Sequence, residues 1–383
     1  MQSPPPGVDR HSAQAGSSPA KERIPCLDGL RAISILLVLF AHSALSIQLP
    51  DKWEALVQRT VFPYGVVGVD VFFVISGYLI TLLLLSERRR TGGINVVHFY
   101  RRRILRIFPA FYTYILVICT LCFLGVLAVR PFHLLSAATF TGNFYSDTNG
   151  PHDDWNVGHF WTLAYEEQFY LFWPAILLLL GPGRAFFFPL AWVLVAPIVR
   201  AILFAIRPSL AQEFPELYLS CDYLMMGSLA ALWQSQELPW TKPLHVHGNV
   251  PIIGGIFLLL GAPGIWHVGL FNHAADIYLI SFQPEINALF IIIVLLWLVA
   301  HATSWAGRLL EHPLVVHIGV MSYSIYVWQQ LFLGEGHRAS FIWLPLKLGV
   351  ALLAAEISFR FIEAPFRRRK TVVQLPREAP QLA

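Results

Sequence analysis

Along most of this chain, apolar residues fall in runs of about twenty separated by short polar or basic stretches. Ten runs can be drawn, at 30–48, 65–86, 108–129, 158–180, 185–206, 217–235, 250–270, 286–303, 313–334 and 342–362. A helix rises about 1.5 Å per residue, so about 20 apolar residues cross a hydrocarbon layer of about 30 Å. The pattern predicts an all-α, polytopic membrane bundle of about ten transmembrane helices. The fourth run, GHFWTLAYEEQFYLFWPAILLLL, holds two adjacent glutamates, and the sixth, LYLSCDYLMMGSLAALWQ, holds an aspartate. Both are more polar than a lipid-facing helix. Segment 131–146 is too short and polar to span and is expected to be re-entrant or interfacial.

Composition agrees with the runs: 56% of the 383 residues are hydrophobic, 13% are charged and the mean hydropathy is +0.58. A soluble domain carries about twice that charge fraction. The charges orient the chain, because Arg88, Arg89, Arg90, Arg101, Arg102, Arg103 and Arg106 all fall between the second and third runs. Loops on the opposite side hold only Lys52, Arg59, Arg130, Arg207 and Arg338. Cytoplasmic loops carry the excess of Lys and Arg, which predicts that both termini are cytoplasmic. Residues 1–23, rich in Pro and Ser without an apolar core, read as a disordered cytoplasmic tail, 24–370 as the transmembrane domain and 371–383 as a second tail. Arg367 to Lys370 suit anionic lipid headgroups, so membrane lipids and not nucleic acid are the expected partners of the basic residues.

Of the four cysteines, three lie in apolar runs and Cys26 faces the cytoplasm, so no disulfide framework is expected. The Cys119 to Cys122 spacing reads as helix packing. No HxxxH or HExxH pattern occurs, and no metal is expected.

The chemistry starts with Arg31 and His42, an arginine at one end of the first run and an imidazole deep within it, roughly 16 Å apart along a helix. Ionisable groups in a membrane are costly and mark function by default, although a histidine packed against a neighbour and a snorkelling arginine are the plainer alternatives. Asp70, inside GVVGVDVFFVISGYLIT, must pair or protonate, and His42 is its expected partner. Gly65, Gly68 and Gly77 in the same run suit close helix contact. In FYRRRILRIFPAFY, Arg103 and Arg106 share a helix face, which suits either lipid headgroups or a phosphate clamp. The fourth run places Glu166 and Glu167 beside His159, Trp161, Gln168 and Tyr170. Adjacent acids point about 100° apart on a helix, so at most one faces a given cavity squarely. Glu356, Arg360 and Glu363 have helical spacings and read as a structural ion-paired set.

From LDGLRAISILLVLFAH through GVDVFFVISGYLIT, FYRRRILRIFPAFY, HFWTLAYEEQFYLFWP and SYSIYVWQ to FIEAPFR, the chain resembles the acyltransferase-3 family of integral membrane O-acyltransferases. The family's Arg, ten residues, His signature falls on Arg31 and His42, its RxxR signature on Arg103 and Arg106, and its acids on Glu166 and Glu167. The resemblance implies transfer of an acyl group, commonly acetyl, from cytosolic acyl-CoA to a hydroxyl of a carbohydrate or glycolipid, without a metal, in a bacterial inner membrane. Members modify polysaccharide, lipopolysaccharide or peptidoglycan, and others acylate macrolides. Arg31, Arg103 and Arg106 would hold the CoA phosphates, and His42 would act as general base or as nucleophile. Asp70 and Glu167 would support the chemistry, and Glu166, Trp161 and Tyr170 would meet the acceptor. Many members have a histidine where this chain has Gln329. A transporter or flippase of an envelope precursor is the competing class, since such residues also mark transport paths.

Overall fold

The computed structural model describes residues 25–144, 155–206, 215–235, 246, 248–249, 253–255, 273–334 and 338–367. Among the described residues the regular structure is helical, joined by short turns, apart from a single bridge between Ile47 and Ala339. Along the chain, α1 is Pro25–Leu45, α2 Asp51–Thr60, α3 Phe62–Thr91, α4 Val96–Phe123, α5 Pro131–Ala138, α6 Trp155–Gly158 and α7 Phe160–Ala185. They are followed by α8 Phe187–Ile206, α9 Pro215–Gln234, α10 His273–Ala300, α11 Trp305–Leu310, α12 Pro313–Gln329 and α13 Leu344–Ile357.

Six stretches among the described residues are long and apolar enough to cross a membrane: Cys26–Leu45, Asp51–Thr91, Val96–Phe123, Phe187–Ile206, Ser281–Ala300 and Phe341–Arg367. The expected runs at 158–180, 217–235 and 313–334 also form helices, α7, α9 and α12, but do not reach that standard. In α7 three polar residues, Glu166 to Gln168, interrupt the apolar sequence, α9 carries Asp222, and α12 has 17 residues. The polar residues of these helices lie on faces packed against the bundle, where they find partners on neighbouring helices instead of facing lipid. The run at 250–270 and both tails lie outside or almost outside the described residues. Segment 131–146 enters as the short helix α5 and a single 3₁₀ turn, Gly142–Phe144.

Contacts between helices fix their directions. Backbones of α1 and α12 meet at Asp28 and Gly319, and just past their other ends the Gly334 amide donates to the Ser46 hydroxyl at 2.6 Å, so the two run parallel. On α3, Gly68 meets the Ser34 carbonyl and Gly65 meets Ala41, so α3 runs antiparallel to α1. A side chain at either glycine would push the helices apart, in line with the close contact their positions suggest. Tyr100 donates to the Leu171 carbonyl at 2.6 Å and Tyr114 to that of Asn156 at 2.7 Å, which makes α4 and α7 antiparallel. Asp70 bonds Tyr223, and Arg89 donates to the Ser235 carbonyl at 3.2 Å, which makes α3 and α9 parallel. Thus α1, α4 and α12 leave one end of the bundle, and α3, α7 and α9 return to it.

That end is basic. α3 stops at Gly92, whose φ of 78° is a left-handed conformation that glycine adopts freely. After the turn, Asn95 caps α4 by accepting from the His98 amide at 2.9 Å, and Glu87 braces the junction through Arg102 at 3.2 Å. The opposite end is tied by the Ser46–Ala339 backbone pairing and by Arg338, which grips Glu54 at 2.6 and 2.8 Å.

α8 and α13 show the bundle's apolar exterior, with Leu194, Ile198, Ile202, Leu353 and Phe361 exposed. Inward from α8, Arg200 pairs with Asp222 of α9 and Glu285 of α10, and Trp192 donates to Asp222 at 2.6 Å. Of the ion-paired set expected on the last run, Glu356 pairs with Arg360, while Glu363 does not join them. Over Ser358–Glu363 the backbone widens into a π-helix, which rotates Glu363 inward to accept from Ser324 at 2.9 Å and to pair with Arg367 at 3.0 Å.

Candidate active site

Two cavities lie between α1, α3, α7 and α12. The one near the basic end has a volume of about 80 Å³ and is walled by Arg31 of α1 together with Arg103 and Arg106 of α4. Helix α4 offers residues three apart on one face, and α1 brings Arg31 of its second turn beside them. Ser76, Glu166 and Tyr170 complete its polar lining. Ser76 donates to Glu166 at 2.5 Å, the Arg103 guanidinium lies 4.3 Å from the centre of the Tyr170 ring, and Arg31 faces Asp28 at 3.7 Å. Three guanidinium groups face a single lining carboxylate, so the wall suits an anion.

The second cavity, of about 290 Å³, lies toward the other end and holds His42. Its wall includes His159, Trp161, Trp155, His133 and Gln330. The His42 ring packs edge-on against Trp155 with centroids 5.6 Å apart, and the Gln329 side chain approaches the imidazole. Trp155 is held in turn: its indole donates to the Leu333 carbonyl at 2.9 Å and lies flat over Gly334, where φ is 110°. The amide pair Gln168 and Asn143, at 2.9 and 3.1 Å, anchors the α5 segment that forms the cavity's far side.

Val69, Thr162 and Tyr326 line both cavities and form the partition between them. The Thr162 and Tyr326 hydroxyls bond each other, and the Tyr326 hydroxyl also donates to the His159 carbonyl. Each helix crosses this partition in turn. On α3 Val66 lies on the histidine side and Ser76 on the arginine side, on α7 Trp161 and Glu166 do the same, and on α12 the order is Gln330 and Ser322.

The structure therefore brings Arg31, Arg103, Arg106, Glu166 and Tyr170 together around one cavity and His42 and Trp161 around the other. Glu166 and Tyr170 stand with the arginines, not beside His42. The expected pairing of Asp70 with His42 does not form: Asp70 lines neither cavity and bonds Tyr223, which also meets Asn287. Glu167 lines neither cavity and lies within electrostatic reach of Arg103 and Arg106. Sequence reasoning did not single out Thr162, Tyr326, Trp155 or His159 as site residues. All but Trp155 lie within the HFWTLAYEEQFYLFWP and SYSIYVWQ stretches, but periodicity cannot tell a polar residue that lines a cavity from one that bonds a neighbouring helix.

Comparison with known proteins assigns the chain. The family described as an acyltransferase domain matches residues 24–355. A Staphylococcus aureus (strain COL) protein, provisionally named an O-acetyltransferase, is 32% identical over 375 residues, covering 90% of this chain and 57% of its own length. The O-acetyltransferase OatA of Staphylococcus aureus (strain MRSA252) is 29% identical over 394 residues, covering 94% of this chain and 60% of its own. The chain thus spans less than two thirds of the length of these relatives. No solved structure matches it. With its signature residues gathered at two adjoining cavities and the family matched over nearly its whole length, the chain belongs to this acyltransferase-3 family.

Proposed function

We propose that the protein is a membrane O-acyltransferase that moves an acyl group, acetyl foremost, from cytosolic acyl-CoA to a hydroxyl of a carbohydrate or glycolipid acceptor. The observation that carries this reading is the pair of cavities joined by a partition three residues wide, one lined by arginines and the other by His42. Arg31, Arg103 and Arg106 bind the phosphates of CoA. The arginine cavity is too narrow for the nucleotide, which stays at the basic mouth while the thin pantetheine arm carries the thioester past Val69, Thr162 and Tyr326 to His42. His42 acts there as base or nucleophile. Glu166 orients the arginines, Tyr170 supports Arg103, and Trp161 packs against the acceptor from the histidine side. Glu167 tempers the charge of the cluster, and Asp70 holds α3 to α9.

In this reading the basic end is cytoplasmic, both termini lie there, and the chain crosses a bacterial inner membrane ten times. The alternating directions of α1, α3, α4 and α7, and the return of the last described residues to the basic end through Arg367 and the Val320 carbonyl, support that arrangement. The relatives named O-acetyltransferases support acetyl as the group moved and a hydroxyl as its destination.

The test is transfer of label from radioactive acetyl-CoA to envelope glycans in a host lacking its own enzyme, comparing wild type with His42→Ala. Label that depends on His42 supports the reading. Equal label in both removes His42 from the mechanism, and a wild type that neither labels glycan nor binds CoA refutes acyl transfer in favour of a transport role.

A further inference from the structure

His159 is the residue whose surroundings the proposed chemistry leaves unexplained. It immediately precedes α7, is 5% exposed and lines the same cavity as His42. Neither ring nitrogen meets a hydrogen-bond partner in good geometry, although the Gln330 side chain and the Val327 backbone approach. A buried polar group without a partner is rare, and a ligand bound beside it is one explanation. Its ring is held from behind: Phe160 lies 4.0 Å away between centroids, Tyr326 5.2 Å and Tyr114 6.0 Å. The backbone is fixed too, since the His159 carbonyl takes the Tyr326 hydroxyl bond of the partition. The imidazole is thus a rigid, water-poor group with free nitrogen atoms in the cavity that holds His42.

We infer that His159 is a second catalytic imidazole, which takes the proton of the acceptor hydroxyl while His42 carries the acyl group. The inference rests on the acyl-CoA reading above and divides its chemistry between two helices. In the first step a ring nitrogen of His42 attacks the thioester carbon, the N–C bond forms, the C–S bond breaks, and the departing thiolate takes up the proton His42 releases. In the second, the acceptor oxygen attacks the acyl carbon, its proton passes to His159, the O–C bond forms and the C–N bond breaks. His159 then returns that proton to His42, which lies within its electrostatic reach, and both rings are restored. Acylation occupies one nitrogen of His42 and weakens the other, which points away from the acyl carbon, so a separate base beside it serves the attacking hydroxyl better.

The experiment uses the full chain in lipid vesicles with two readouts. One is exchange of labelled CoA into acetyl-CoA without acceptor, which reports the first step alone, and the other is transfer to a host envelope-glycan fraction. In His159→Gln, which keeps hydrogen bonding but takes no proton, exchange should stay within about twofold of wild type while glycan transfer falls by about 10²-fold or more, the usual contribution of a general base. His159→Asn should behave alike, and CoA binding by both variants shows that the fold is intact. His42→Ala should lose both readouts. The inference is overturned if His159→Gln transfers at the wild-type rate, if it loses exchange together with transfer, or if the wild type transfers without exchanging. A wild type that neither exchanges, transfers nor binds CoA overturns the acyl-CoA reading itself.

Discussion

Gly334 is the position where a single methyl group should reach the chemistry from outside it. Its φ of 110° is one that side chains rarely adopt, and a Cβ built there falls within the Trp155 indole. In Gly334→Ala the backbone strain alone costs about 1–3 kcal/mol. Ordinary carbon contacts lie at about 3.5–4.0 Å, so the indole must shift by more than about 1 Å, and its 2.9 Å bond to the Leu333 carbonyl, worth about 0.5–1.5 kcal/mol, goes with it. The same ring is the edge-on neighbour of His42. A displacement of about 1 Å at a reacting group can cost about 10²-fold in rate, so kcat for acyl transfer should fall by about 10- to 100-fold. CoA affinity should hold within about twofold, because Arg31 lies about 16 Å from His42 along α1 and Arg103 and Arg106 stand with it at the other cavity. Steady-state transfer kinetics beside direct CoA binding separate the two effects. A double-mutant cycle with Trp155→Leu isolates the ring contact, and the two substitutions should be less than additive. Full additivity, or a wild-type kcat in Gly334→Ala, refutes the link from Gly334 through Trp155 to His42.

Other expectations follow from the same geometry. Arg103→Lys keeps the charge but loses the planar group over Tyr170, so CoA affinity measured by titration should weaken by about tenfold or more, the equivalent of one charge-assisted bond, with little change in kcat. Asp70→Asn keeps a partner for Tyr223 and does not touch the cavities, so transfer should stay within about twofold, whereas a direct role at His42 would give a loss of the order of a general base. Thr162→Val removes one hydroxyl from the partition and preserves its volume, and hydrolysis of acetyl-CoA without acceptor should rise; an unchanged rate would mean that this bond does not separate the compartments. Arg200→Ala leaves Asp222 and Glu285 buried without their cation and should destabilise the bundle by about 3–5 kcal/mol, read as loss of folded protein on heating in detergent.

Much of this arrangement was legible in the sequence. Residue spacing alone set Arg31 at one end of the first run and His42 about 16 Å along it, and the structure puts them in adjoining cavities. Arg103 and Arg106 share a cavity wall, as three-residue spacing on a helix requires. What spacing could not supply is rotation about each helix axis relative to its neighbours. Asp70 sits next to Val69 in sequence, yet Val69 lines both cavities and Asp70 turns about 100° away to Tyr223. The expected place of Glu166 and Tyr170 is with the acceptor, whereas one and two turns of α7 beyond Thr162 carry them through the partition to the arginines. For Glu363, the π-helix adds a residue to the turn, so regular helical spacing pointed to the wrong partner.

Rotation also explains why the number of spans is harder to read than the site. A helix surrounded by lipid must be apolar around its whole circumference, as α8 nearly is, because any polar group there lacks a partner. α7, α9 and α12 each turn one face to other helices and can place Glu166, Asp222 and Ser324 there, where Ser76, Arg200 and Glu363 meet them. Three helices that meet their neighbours through buried polar side chains are therefore those whose apolar signal is weakest, whereas α1 and α4, which carry Arg31, His42, Arg103 and Arg106, keep theirs. Apolar length alone therefore passes over α7, α9 and α12, and the fourth and sixth runs stand out by their polarity for the same physical reason.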